Sequence, residues 1–84
     1  MELIIVWRNK KPFKINIDSN KSIAELKNAI ASHFDSTYTS FNILNGIDVI
    51  DKDKDNSSIS SCNLKRVVRL PDNYDPGSFR MWNW

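Results

Sequence analysis

Few side chains in this chain can do chemistry. His33 is the single histidine and Cys62 the single cysteine among 84 residues. A cysteine nucleophile needs a nearby base and an oriented cleft. No histidine or second cysteine stands near Cys62 in sequence, and its apolar neighbours Ile59 and Leu64 predict a partly buried turn. His33 falls near the end of a predicted helix, where the helix dipole mildly favours an imidazolium. Asp51, Asp53 and Asp55 alternate like the first, third and fifth ligands of an EF-hand calcium loop. Asn56 then occupies the position that needs glycine, and Cys62 the position that needs a bidentate glutamate. The stretch reads as a solvated loop of mixed charge, with no metal. A phosphate cradle is equally unsupported, because no glycine-rich signature occurs and the chain has only two glycines. These residues predict neither an enzyme nor a bound cofactor.

Composition narrows the remaining classes. With 40% hydrophobic and 26% charged residues, the chain falls in the ordinary globular range and has enough apolar material for one modest core. One cysteine cannot make an internal disulfide, which predicts a reducing, intracellular setting such as the cytoplasm or the inside of an assembled particle. Residues 3–7 are the only early apolar run, too short for a signal sequence or a membrane span. A net charge of +2 is too small to predict nucleic-acid binding. Its distribution is more informative. Arg8, Lys10, Lys11 and Lys14 cluster near the start, and Lys65, Arg66 and Arg69 near the last apolar segment. If those segments pair, they create one basic face.

The elements that would position these groups can be read from periodicity. Residues 3–7 are mostly β-branched or aromatic and predict a strand. In residues 13–18 strict alternation puts Phe13, Ile15 and Ile17 on one face, and residues 8–12 supply the hairpin loop. Ser22 stands three residues before Glu25, the spacing of a capping box. Ile23, Leu26, Ala29, Ile30 and Phe34 then recur at helical spacing, which predicts a helix ending near His33 or Phe34, with Glu25, Lys27, Asn28 and Ser32 mostly off its apolar stripe. Asn45-Gly46 is the strongest turn signal and predicts a second hairpin. A polar loop over residues 51–58, a short helical turn within 59–64 and a closing strand within 65–70, stopped by Pro71, complete the pattern.

This order, with Leu3 and Ile5 in the first strand, Phe13, Ile15 and Ile17 in the second, and Ser22, Ile23, Leu26 and Ile30 in the helix, resembles ubiquitin and its relatives. The resemblance implies an α+β fold of ubiquitin-like β-grasp type, a mixed sheet packed on one amphipathic helix, over residues 1–71. Residues 72–84 form an aromatic C-terminal tail. Conjugating members of that family carry a terminal Gly-Gly, whereas here Pro71, Asp72 and Asn73 follow the closing strand. A non-conjugating member is therefore expected.

What remains is a surface. Leu3 and Ile5 point to the core, so alternation sends Ile4 and Val6 to the other face of the sheet, where a solvated strand would be polar. By the resemblance, Ile43 and Val67 match positions of the apolar patch through which ubiquitin is recognised, framed here by Lys65 and Arg69. The family's first-loop leucine has no counterpart, since Arg8 and Asn9 stand there. The tail adds Tyr74, Phe79, Met81, Trp82 and Trp84. Either the tail covers the apolar face, or face and tail both contact another protein. The second leads: a protein-protein interaction module that uses Ile4, Val6, Ile43, Lys65, Val67, Arg69, Phe79, Trp82 and Trp84 and draws an acidic protein partner, with neither nucleic acid nor a membrane expected. The alternative is a structural accessory subunit of a large assembly, a virion or ribonucleoprotein, anchored by the tail.

Overall fold

The computed structural model describes residues 1–8, 10–36 and 41–71. Five strands, β1 (Glu2–Val6), β2 (Phe13–Asn16), β3 (Ile43–Asn45), β4 (Asp48–Ile50) and β5 (Val67–Arg69), accompany one helix, α1 (Ile23–His33), and 3-10 turns at Lys52–Lys54 and Ser60–Cys62. The sheet runs β2-β1-β5-β3-β4. β5 lies parallel to β1, and the other neighbours are antiparallel. The architecture is α+β, a mixed five-stranded sheet with one helix. Among the described residues no helix is long and apolar enough to cross a membrane.

Alternation in β1 works as expected. Leu3, Ile5 and Trp7 are buried and Ile4 and Val6 face the other way, half-buried. Phe13, Ile15 and Ile17 pack against the edge of the core that Leu3 and Ile5 form with Ile23, Leu26, Ile30 and Val68. A side-chain period of two requires this separation once one face of the sheet meets a helix.

The start of α1 explains why the loop over residues 51–62 belongs to the fold. A helix leaves its first four N–H groups without helical partners. Ile23 N donates to Ser57 O (3.0 Å) and Ala24 N to Asp55 O (2.9 Å), and the helical ladder begins with Leu26 N to Ser22 O (3.1 Å). Glu25 N donates to Ser22 Oγ (3.2 Å), while Ser22 N donates back to Glu25 Oε2 (3.1 Å), so the capping box is complete. The acidic loop thus serves as a backbone cap. At the other end Asp35 adopts φ 53°, with Asp35 N bonded to Ser32 O and Ser36 N to Ala31 O. These are the two bonds of a Schellman motif, with aspartate in the position glycine usually takes.

One expectation for α1 is corrected. Lys27 does not lie off the apolar stripe. It is 1% exposed, its ammonium 2.6 Å from Asp55 Oδ1 and 6.0 Å from the centre of the Phe41 ring. Ala31 is also buried. Lys27 stands four residues after Ile23 and three before Ile30, so its spacing puts it on the stripe, and a carboxylate far along the chain makes burial of its charge tolerable.

The second hairpin forms one residue further along than the Asn-Gly pair suggests. Asn45 pairs with Asp48, leaving Gly46 and Ile47 as the central turn residues. Gly46 has φ +68° and Ile47 is absent from the positive-φ residues, the pattern of a type II′ turn. This shift makes Asn45 a clamp. Its Oδ1 accepts from Lys65 N (2.9 Å) and its Nδ2 donates to Asn63 O (3.1 Å). The bonds fix the left-handed Asn63 (φ 51°) that ends the second 3-10 turn and aims the chain into β5.

Candidate protein-binding face

The face of the sheet away from α1 is built by the strand register. Ile4 sits between Lys14 on β2 and Val67 on β5. One row along, Val6 pairs with Arg69, Arg69 with Leu44, and Leu44 with Val49. Ile4, Val6, Leu44, Val49 and Val67 therefore lie on one side of four adjacent strands. Val67 is 44% and Val49 51% exposed, and the other three are half-buried. Solvated strand positions are normally polar, so five apolar residues on one face are unusual, with Arg69 on the central strand standing between Val6 and Leu44.

One residue expected on this face is not there. Ile43 is fully buried in the core, and Leu44 takes the outward position. A slip of one residue moves a strand side chain to the opposite face. Phe41, Ile43 and Asn45 form the buried set, so alternation within the segment itself selects Leu44. Val49, the other outward residue missing from the sequence-based set, follows from its pairing with Leu44.

The two basic segments meet only in part. Because β5 is the neighbour of β1, Lys14 and Arg69 share the face with the apolar residues. Arg66 instead bonds Glu2 Oε1 across the sheet at 3.0 Å, with both side chains exposed. Lys65 reaches over the second hairpin turn, where a Cβ on Gly46 would stand 3.3 Å from its Nζ. Arg8 stacks its guanidinium 5.2 Å from the centre of Trp7. Phe79, Trp82 and Trp84, and the tail to which they belong, lie outside the described residues.

The chemistry-bearing side chains stand elsewhere. His33 is exposed and stacks on Phe13 with ring centres 3.6 Å apart, and both meet Phe34 edge-on. Cys62 is half-buried, as its sequence neighbours predict, and lines an open cleft of about 260 Å³ together with Val49, Asp51, Asp53 and Ser57. The lining holds no histidine, and its ionisable side chains besides Cys62 are Asp51, Asp53 and Lys54. Among the described residues no group of three or more metal-ligating side chains is gathered.

Compared with known proteins, the chain matches no family model and no curated protein.

Proposed function

We propose that this chain is a non-enzymatic interaction module of ubiquitin-like β-grasp type that binds another protein through the outer face of its sheet. One observation carries the proposal. A helix shields one side of the sheet, while the other side presents Ile4, Val6, Leu44, Val49 and Val67 as one apolar set. Such a set, with Lys14 at its β2 edge and Arg69 among its members on the central strand, has the mixed apolar and charged composition of an interface. The β-grasp assignment is supported by the element order and by the insertion of β5 between β1 and β3, parallel to β1. Lys14, Lys65 and Arg69 favour a partner with acidic residues among apolar ones, because charge complementarity across an interface speeds encounter and rejects wrong partners. Phe79, Trp82 and Trp84 supply a second contact.

The test is affinity capture with the full chain, comparing wild type with Val67→Asp and with Asn28→Asp, which places the same charge on the exposed side of α1. A partner held by wild type and by Asn28→Asp, and bound roughly 30-fold more weakly by Val67→Asp, as loss of a ~2 kcal/mol anchor requires, supports the proposal. Equal retention by all three overturns it.

A further inference from the structure

We propose that the β4 edge of the sheet is a self-association site, at which two copies pair antiparallel about a two-fold axis at Val49 and join their sheets into one. The two edges of the sheet, β2 and β4, are built differently. Edge strands resist pairing when they carry lysine or proline. β2 has Lys14 within it and Pro12 just before its start. β4 has neither. Its middle residue is Val49, 51% exposed, and the turn before it holds Ile47, 97% exposed.

The register leaves the pairing groups of β4 open. A two-residue loop closes on a hydrogen-bonded pair, here Asn45 with Asp48. The next pair along, Leu44 with Val49, then turns its backbone groups away from each other. Those of Leu44 point to β5, where Leu44 pairs with Arg69. Those of Val49 point off the sheet, and no backbone bond to another element uses them among the described residues.

A second copy suits this edge because the two ends match. With Val49 on the axis, Asp48 lies opposite Ile50 and Ile47 opposite Asp51, so no like charges face each other along the strand pair. Lys65 lies over the Gly46 turn, at the end of the interface where Asp51 and Asp53 of the other copy outnumber Lys52. Lys65, Asp51 and Asp53 make no ion pair among the described residues. Asp51 also borders the open cleft that Val49, Ile50 and Cys62 line, so the exposed Ile47 of one copy reaches the mouth of the other copy's cleft. Three residues make a short edge, and the dimer is correspondingly weak. It sets two outer faces side by side, which lets a partner with two contact segments hold both.

The experiment is a concentration series on the full chain, read by sedimentation velocity and by amide hydrogen exchange. The expected result is a monomer-dimer equilibrium in which the Val49 amide gains protection as concentration rises, while that of Lys14 on the other edge does not. Val49→Lys places like charges in direct opposition and should abolish the dimer. Asp51→Lys should weaken it several-fold, and Asp51→Lys/Lys65→Asp should restore it. Val67→Asp, which tests the outer face two strands away, should dimerise as wild type does. A chain that stays monomeric at millimolar concentration overturns the proposal. So does a dimer that protects the Lys14 amide instead, or one that Val67→Asp disperses and Val49→Lys does not, because the contact is then the other edge or the outer face.

Discussion

Lys27 and Asp55 provide a sharp test of how this fold is held together, because the two ends of their ion pair are unequally buried. The Lys27 side chain is 1% exposed and that of Asp55 34%. Asp55→Ala leaves an ammonium in the core with its partner gone, a defect that costs ~3–5 kcal/mol. Lys27→Met leaves a carboxylate that water can already reach, and it fills the vacated space with an apolar chain of similar length. Its expected cost is about 1 kcal/mol or less. The Ala24 N to Asp55 O bond uses the backbone and survives both changes. A domain of 84 residues has a total stability of about 4–12 kcal/mol, so Asp55→Ala removes a large share of it. The double variant should resemble Lys27→Met alone. Urea unfolding followed by far-ultraviolet circular dichroism measures all three. Lys27→Met as destabilising as Asp55→Ala would refute the asymmetry, and with it the claim that desolvation of the ammonium dominates this site.

Three further outcomes follow from single contacts. Ser22→Ala removes half of the capping box and should cost about 1 kcal/mol by the same unfolding measurement. Asn63→Gly should be tolerated within a few tenths of a kcal/mol, whereas Asn63→Val at φ 51° should lose ~1–2 kcal/mol, since a β-branched residue is poorly accommodated there. Asn45→Ala leaves Lys65 N and Asn63 O without the side chain that joins them. It should cost ~1–3 kcal/mol and accelerate hydrogen exchange at the Lys65 amide.

The parts of the fold written in local periodicity were legible from sequence. The β1-β2 hairpin, the capped helix and the closing strand depend on alternation, on S-x-x-E spacing and on a terminating proline, all of which act within a few residues. Lys27 was missed because its acceptability in the core depends on Asp55, 28 positions away, while its residue type argued for solvent. Its position between Ile23 and Ile30 was the available signal. The Asn45-Gly46 pair marked the turn but not its register, because Asn45 is held in the sheet by bonds to Asn63 and Lys65, a tertiary demand that overrides the usual Asn-Gly placement. For the proposed binding face, Ile4, Val6 and Val67 came from alternation and resemblance. Ile43 was misplaced because matching by resemblance was off by one residue, and in a strand that error exchanges core for surface.

The same register decides what the protein presents to others. An outward Leu44 pairs directly with Val49 on β4 and stands one strand beyond Arg69 from Val6 on β1, so it extends the apolar residues of this face toward β4. The most direct measurement is therefore a methyl-resolved titration of the full chain with a partner isolated by capture. The proposed binding mode predicts shifts at Ile4, Val6, Leu44, Val49 and Val67, with none at Ile43 beyond those of other core methyls. Shifts that instead map to the exposed side of α1 or to the 3-10 turn at Lys52–Lys54 would contradict it.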